Sequence, residues 1–95
     1  MDLRLTGKTA IVTGGASNIG KAITEGFFME GANVVIVDVD ATQAQRVVDE
    51  LQASGGEGKV LFVKTDVGDR SQVQHMAERT LETFGQIDIL VNNAG

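Results

Sequence analysis

The chain has 95 residues, which is enough for one compact domain with a single sheet and a few helices. Its formal net charge is -5 and its Lys and Arg residues are scattered, which argues against a nucleic-acid groove or an anionic membrane surface, because both need a concentrated basic face. Without cysteine there are no disulfides and no thiolate or cysteine-based metal site, and we expect a cytoplasmic protein. Neither a signal peptide nor an apolar run of the roughly 20 residues that span a bilayer is present.

The first half of the chain alternates strand and helix. Thr9–Thr13 is a short apolar run that ends in two glycines, which is typical of a buried strand entering a tight turn. Apolar residues then recur at helical spacing from Ile19 to about Glu30, and Gly31 is placed to end that helix. Asn33–Asp38 is almost uniformly β-branched, and such a continuous run predicts a strand buried on both faces of a parallel sheet.

A second helix follows this strand. Asp40 and Gln43 form a capping-box pattern that predicts the start of the helix, and Gly55 with Gly56 predicts its end. Four apolar residues at helical spacing are expected on its inner face: Ala44, Val47, Val48 and Leu51. Val60–Val63 then predicts a third strand.

The last third of the chain repeats the cycle. Asp69 and Gln72 predict the start of a third helix, which Gly85 closes. Its expected apolar stripe consists of Val73, Met76, Ala77, Leu81 and Phe84. Ile87–Val91 predicts a fourth strand. The resulting order β-α-β-α-β-α-β predicts parallel strands, right-handed crossovers and helices on both faces of the sheet.

The segment Thr13–Gly20 is the most specific local motif. It lies between the first strand and the first helix, where a phosphate-binding turn belongs. Such a turn needs residues that accept positive φ and lack bulk, so that a pyrophosphate reaches the backbone amides and the positive end of the helix dipole. Gly20 also removes a side chain where helix and strand must approach closely. The alternative is a turn that holds no ligand.

Asp38 is the acidic residue that this kind of site requires. It closes the second strand, 18 positions beyond Gly20. A carboxylate there can accept both hydroxyls of an adenosine ribose and would repel a 2′-phosphate, which favours NAD over NADP. The alternative is a solvated aspartate at a strand end. Asp40 is a nearby competitor, but its capping position explains it without a ligand.

Together these motifs resemble the short-chain dehydrogenase/reductase family over essentially the whole chain. The family has a Thr-Gly-x-x-x-Gly-x-Gly loop, an acidic residue closing the second strand, an aspartate near the adenine after the third strand, and Asn-Asn-Ala-Gly after the fourth. The matching residues are Thr13, Gly14 and Gly20, then Asp38, then Asp66 with Val67, then Asn92 to Gly95. The resemblance implies a Rossmann-like three-layer α/β fold with strand order 3-2-1-4 and NAD as the cofactor.

The resemblance also implies a set of cofactor-binding residues. They are Gly14, Ser17, Asn18, Ile19, Gly20, Asp38, Asp66, Val67, Asn92, Ala94 and Gly95. Asn18 replaces the middle glycine of the family loop, and since Asn tolerates left-handed backbone, we expect the turn to survive. For Asp66, contact with a ligand and a purely local role in its turn stay equally open. Asn92 and Asn93 are expected to brace the sheet and border the cofactor.

The family's catalytic machinery sets a limit on what these residues do. The resemblance implies hydride transfer between an alcohol and a ketone, with a tyrosine as acid/base, a lysine that lowers its pKa and a serine that orients the substrate. Those residues follow the Asn-Asn-Ala-Gly segment in the family, and this chain contains no tyrosine. We therefore expect residues 1–95 to be the N-terminal, cofactor-binding part of a single NAD(P)-binding domain, truncated after the fourth strand and inactive alone.

Two other interpretations stay open. The chain could be a non-catalytic nucleotide-binding module, or an oligomerising fragment whose glycine loop binds nothing. In the order 3-2-1-4 the fourth strand lies at an edge, and its apolar run would leave amides unpaired. Self-association through this edge, or a longer parent that is a homo-oligomer, is therefore expected.

Overall fold

The computed structural model describes residues 5–93, which form a parallel four-stranded sheet with helices on both faces. The elements in chain order are β1 (Thr9–Thr13), α1 (Asn18–Met29), β2 (Asn33–Asp38), α2 (Ala41–Ala53), β3 (Val60–Lys64), α3 (Arg70–Phe84) and β4 (Ile89–Asn92). The strands lie in the order β3-β2-β1-β4, and all three pairings are parallel. The predicted Rossmann-like α/β fold is confirmed. Within residues 5–93, no helix has both the length and the apolar character that crossing a membrane requires.

The core lies on the two faces of β2. All four residues from Val34 to Val37 have no exposed surface, as predicted for a strand buried on both sides. Because successive side chains point to opposite faces, Val34 and Ile36 join the core under α1 and α2, whereas Val35 and Val37 join the core under α3. The predicted inner face of α2 is confirmed, since all four of its residues are buried.

The starts of α2 and α3 follow the predicted capping chemistry. Asp40 accepts a hydrogen bond from the Gln43 N–H at 3.0 Å. Asp69 accepts from the N–H groups of Ser71 at 3.0 Å and Gln72 at 3.3 Å, and from the Ser71 hydroxyl at 2.8 Å. The Ser71 hydroxyl, followed by the Gln72 N–H, lowers the pKa of the Asp69 carboxyl below its ordinary value of 3.8. Each aspartate thus satisfies amides that the first helical turn leaves without partners.

The predicted inner stripe of α3 is wrong at one position. Leu81 is 48% exposed, and Thr80 occupies the interior instead with no exposed surface. Thr80 is tolerated there because its hydroxyl donates to the Met76 carbonyl one helical turn earlier, at 2.9 Å. Leu81 belongs to neither of the two core clusters.

The predicted start of β4 is also wrong. The strand begins at Ile89 rather than Ile87. Just before the strand, Asp88 bonds to Thr9 of β1 in two ways. Its side-chain Oδ2 accepts from the Thr9 N–H at 2.9 Å, and its backbone N–H donates to the Thr9 carbonyl at 2.9 Å. A side chain therefore does here what a carbonyl would do in a continuing ladder.

The edge position of β4 is confirmed. Among residues 5–93, β4 pairs with β1 alone. Val91 packs against the core under α1 and α2, but Leu90 faces the side of α3 and is 65% exposed. The sheet therefore presents an apolar residue beside an unpaired strand edge.

Candidate nucleotide-binding site

The carboxyl ends of β1, β2 and β3 surround a small cleft. Its volume is about 190 Å³, and it is lined by Gly14, Val37, Asp38, Val39, Thr65, Asp66 and Val67. Four of the eleven predicted site residues meet there: Gly14, Asp38, Asp66 and Val67. A larger cavity of about 420 Å³ lies beside Phe28 and Gly56, and none of the predicted residues line it. The cleft at the strand ends is therefore the candidate site, since open parallel sheets bind ligands outside the carboxyl ends of their strands.

The glycine loop is shaped by backbone that only small residues allow. Gly14 has φ of +65°, in the left-handed region that favours glycine. Its N–H donates to the Val37 carbonyl at 2.7 Å, which attaches the start of the loop to β2. The buried Thr24 hydroxyl donates to the Gly15 carbonyl at 3.2 Å, which attaches the loop to α1. The loop is thus held on both sides before it enters the helix.

Glycine is required at position 20 because the backbone of the glycine loop lies too close for a side chain. We expected the close neighbour to be the strand. A Cβ at this position would overlap the carbonyl group of Gly14 and lie 2.8 Å from the Nδ2 atom of Asn93. The close contact is therefore with the glycine loop itself rather than with the body of the strand. Any side chain at Gly20 has to displace the loop backbone.

The start of α1 differs from the starts of α2 and α3. Ser17 is the N-cap residue, but its hydroxyl donates to the Gly14 carbonyl at 2.7 Å and caps no helical N–H. Within residues 5–93 the N–H groups of Asn18, Ile19 and Gly20 have no hydrogen-bond acceptor. These amides and the positive end of the helix dipole are available to an anion.

Asn18 is compatible with the loop for a reason that we did not predict. It is the first residue of α1 and has helical backbone, so the left-handed conformation that we considered for it is not adopted. Its side chain is exposed, as are those of Ser17 and Ile19, the latter with 70% of its surface accessible. The Asn18 side chain therefore lies in solvent rather than inside the turn.

Asp38 lines the cleft and is only half-buried. Its Oδ2 accepts from the Ala16 N–H at 3.1 Å and its Oδ1 from the Asp40 N–H at 3.0 Å. The sequence indicated the position of this carboxylate but not the bond to Ala16, because that bond joins residues 22 positions apart.

Asp66 has the local role that we considered as one of its two alternatives. Its Oδ1 accepts from the Gly68 N–H at 2.9 Å, and its own N–H donates to the Gln72 side chain at 2.8 Å. These bonds order the turn before α3 and leave the carboxylate exposed on the cleft. Val67 follows it with 45% of its surface accessible.

Val39 is a cleft residue that the sequence analysis missed. It lines the cleft between Asp38 and the β2–α2 turn, and 60% of its surface is accessible. The available signal was a lone apolar residue between two aspartates at the end of a strand. Val39 and Val67 both belong to the lining of the cleft, where they provide apolar surface suited to a flat ring.

The end of β4 contacts the glycine loop through Asn93. Its Nδ2 donates to the Gly14 carbonyl at 3.3 Å, and its N–H donates to the Thr13 hydroxyl at 2.9 Å. The Thr13 hydroxyl also lies 3.3 Å from the Oδ1 atom of Asn92. Asn93 therefore braces the loop, in keeping with the structural role that we expected for at least one of the two asparagines. The predicted site residues Ala94 and Gly95 lie outside the described residues.

The assembled residues present three kinds of surface at one edge of the sheet: unpaired amides at a helix start, a carboxylate, and exposed apolar side chains. A diphosphate, a vicinal diol and a flat aromatic ring each match one of these surfaces. The strand order and the glycine turn between β1 and α1 define a Rossmann-like α/β protein.

Comparison with known proteins places the chain within this class. Residues 8–95 match the family model described as short chain dehydrogenase. The 3beta-hydroxysteroid dehydrogenase 2 of Eggerthella lenta is 44% identical over 91 residues, which cover 96% of this chain and 34% of that protein. The chain belongs to the short-chain dehydrogenase family, and it spans about a third of the length of the curated relatives that it matches.

Solved structures agree with this assignment. L-Sorbose reductase from Gluconobacter frateurii, complexed with NADPH and L-sorbose, has a TM-score of 0.93 and 40% identity, with 100% of this chain and 36% of that chain covered. A short-chain dehydrogenase/reductase from Burkholderia phymatum in complex with NAD has a TM-score of 0.85 and 40% identity, with 93% of this chain and 31% of that chain covered. These neighbours bind either NAD or NADPH.

Proposed function

We propose that this chain holds the adenosine and pyrophosphate part of NAD, as the cofactor-binding portion of an oxidoreductase that interconverts an alcohol and a ketone. The observation that carries the proposal is the position of Asp38, whose carboxylate shares one cleft with Gly14 of the glycine loop. Residues 1–95 are proposed to belong to one NAD(P)-binding domain.

The residues fit the cofactor in three places. The N–H groups of Asn18, Ile19 and Gly20 would bond the pyrophosphate, because the Ser17 side chain does not cap them. Asp38 would accept the ribose hydroxyls. Val39, Asp66 and Val67 would border the adenine ring. When bound, NAD supplies the hydride acceptor of the reaction.

The preference for NAD over NADP follows from the charge of Asp38. A 2′-phosphate placed on the ribose would meet this carboxylate in the cleft, and like charges at such distances repel. The two structural neighbours differ in this respect, since one is described with NAD and the other with NADPH. The residue at the end of β2 is our reason for assigning NAD to this chain.

The proposed reaction is carried over from the family. The relatives are described as acting on a hydroxysteroid and on L-sorbose, so a secondary alcohol and its ketone are the shared chemistry. Within the 95 residues there is no tyrosine to serve as acid/base. We expect these residues by themselves to bind the cofactor without transferring hydride.

Calorimetric titration with NAD and NADP tests the proposal. We expect NAD to bind more tightly than NADP, and NAD binding to weaken at least about tenfold in Asp38→Ala, because two hydrogen bonds to a charged acceptor are lost. Gly20→Val should abolish binding by displacing the loop. Absence of NAD binding at millimolar concentration would refute the proposal. An alcohol-dependent rise in NADH absorbance would refute the expected inactivity.

A second property is favoured by a separate observation. The edge of β4 is unpaired in the described part of the chain, and Leu90 beside it is 65% exposed. An apolar residue next to unpaired strand amides favours pairing with another copy. Self-association through β4 is therefore part of the proposal for the 95-residue chain.

A further inference from the structure

The carboxylate of Asp38 joins two segments of the ligand-free protein. Its Oδ2 holds the Ala16 N–H in the middle of the glycine loop, and its Oδ1 holds the Asp40 N–H in the turn after β2. The second bond is local, since it spans two residues. The first spans 22 residues and connects the loop to a different strand.

The hydrogen bond from the Ala16 N–H to Asp38 satisfies a donor in a buried residue. Ala16 is 2% exposed and belongs to the same core cluster as Val12 and Ile36. Ala16 therefore cannot turn toward water without leaving the core. An N–H in such a position costs free energy unless an acceptor is supplied, and a charged acceptor forms the stronger bond.

We infer that Asp38 is a positioning residue for the glycine loop. Through the Ala16 N–H, its carboxylate sets the path of the loop into Ser17 and so directs the unpaired amides at the start of α1. The effect on nucleotide affinity rests on the proposed function, whereas the tether itself is a property of the ligand-free chain.

The acceptor capacity of a carboxylate allows Asp38 to hold the loop and a ribose together. Its two oxygens provide about four lone-pair positions. The N–H groups of Ala16 and Asp40 use one position on each oxygen, which leaves one on each for the two hydroxyls of a vicinal diol. An asparagine has a single oxygen, so its NH₂ group would face one of these two N–H groups, donor to donor.

A consequence concerns cofactor preference. Replacing Asp38 to admit a 2′-phosphate also releases Ala16 and loosens the amides that face the pyrophosphate. A single substitution at this position is therefore expected to weaken the binding of both dinucleotides rather than exchange one preference for the other.

Amide hydrogen exchange in the ligand-free chain tests the tether. We expect the Ala16 N–H to exchange about tenfold more slowly than the Ile19 N–H, which has no acceptor among residues 5–93. In Asp38→Asn the Ala16 N–H should exchange about three- to tenfold faster than in the wild type. Asp66→Asn is the matched control, because Asp66 lines the same cleft but bonds to Gly68 in its own turn. Equal Ala16 rates in the wild type and Asp38→Asn would overturn the inference. If Asp38→Asn does not fold, equal protection of Ala16 and Ile19 in the wild type overturns it.

Binding of ADP and of 2′,3′-dideoxy-ADP separates loop positioning from ribose recognition. The dideoxy nucleotide has no hydroxyl for Asp38, so a residue that acts only on the ribose leaves its dissociation constant unchanged. We expect Asp38→Asn to raise both dissociation constants, by about three- to tenfold for the dideoxy nucleotide, relative to Asp40→Asn, whose side-chain oxygen can still cap α2. Each of the two substitutions removes one negative charge, and this change alone would strengthen the binding of an anionic nucleotide. The difference between the two variants therefore reports the effect of the loop on affinity.

The outcomes distinguish this inference from the proposed function. The positioning role is overturned if Asp38→Asn binds dideoxy-ADP as tightly as Asp40→Asn does, or more tightly. If the wild type binds neither nucleotide, the proposed function fails, and the exchange rates of Ala16 alone decide whether the tether exists.

Discussion

The side chain of Asn93, which follows β4, is hydrogen-bonded to the backbone of Gly14, which follows β1. Its Nδ2 lies 3.3 Å from the Gly14 carbonyl oxygen and 3.4 Å from the Ser17 hydroxyl. The two bonded residues are 79 positions apart, so the contact exists only because β4 returns beside β1. The glycine loop is therefore held from the β4 side by Asn93 and from the β2 side by Asp38 and Val37.

Removing the Asn93 side chain is expected to loosen the loop. Asn93→Ala should lower the free energy of unfolding by about 1–2 kcal/mol, because the half-buried amide group loses its bonds to Gly14 and Ser17. Urea denaturation measures this loss, and NAD affinity should fall with it. Asn92→Ala is the matched control, because the Asn92 side chain is exposed and, within residues 5–93, its hydrogen bond is a long one from the Thr13 hydroxyl. Equal losses in the two variants would contradict the bracing role of Asn93.

Adding a methyl group at Gly20 is expected to disrupt the loop. Gly20→Ala places a Cβ onto the Gly14 carbonyl, which is rigid backbone, so we expect a loss of about 1–3 kcal/mol in stability together with loss of nucleotide binding. Gly26→Ala in the same helix meets nothing within 4 Å and should stabilise the protein by about 0.5–1 kcal/mol, since glycine is a poor helix residue. Thermal melting and NAD titration of the pair provide the measurement. Similar behaviour of the two variants would refute the close-approach argument.

The cap of α3 predicts a dependence of stability on pH. Because hydrogen bonds from Ser71 and Gln72 lower the pKa of Asp69 in the folded state, its ionised form stabilises the fold at pH values above its unfolded pKa of 3.8. This contribution is lost as the pH falls through the lower, folded pKa. Asp69→Ala should therefore be less stable than the wild type at pH 7, and the difference in Tm should shrink in acid.

A neighbouring substitution controls for general effects of acid on the helix. His75 is exposed on α3 and takes no part in the cap. His75→Gln should follow the wild-type profile between pH 5 and the acid limit of folding. A gap between Asp69→Ala and the wild type that stays constant down to that limit would contradict the assigned role of Asp69.

Charge at the edge of β4 is expected to reduce self-association. Leu90→Lys places a positive charge on β4 beside the strand edge that is unpaired within residues 5–93. Like charges on two copies repel each other, and lysine discourages pairing at a strand edge. Size-exclusion chromatography with light scattering should show a smaller average mass than for the wild type. Leu81→Lys alters a leucine of α3 with 48% exposure, away from the strand edge, and should leave the mass unchanged. A monomeric wild type would refute the self-association proposal.

Much of the fold could be predicted because its signals are local. The continuous β-branched run of β2 indicated burial on both faces, and Asp40 and Asp69 indicated where helices begin. Errors arose where a tertiary contact decided the outcome. Thr80 rather than Leu81 is buried against the sheet, and its hydroxyl is satisfied by the Met76 carbonyl. The start of β4 shifted because the Asp88 side chain substitutes for a ladder acceptor.

The sequence by itself determined the alternation of strand and helix, the strand order through family resemblance, and the glycine and aspartate positions of the candidate site. These depend on residue type and spacing, which one chain displays directly. Only the tertiary structure decided that Ser17 leaves the start of α1 uncapped and that Asn93 and Asp38 hold the loop from opposite sides. The contacts of Asn93 and Asp38 join residues 79 and 22 positions apart, and they depend on how parallel strands bring their carboxyl ends to one edge of the sheet. The Ser17 hydroxyl bonds to Gly14 within the loop that these two contacts hold.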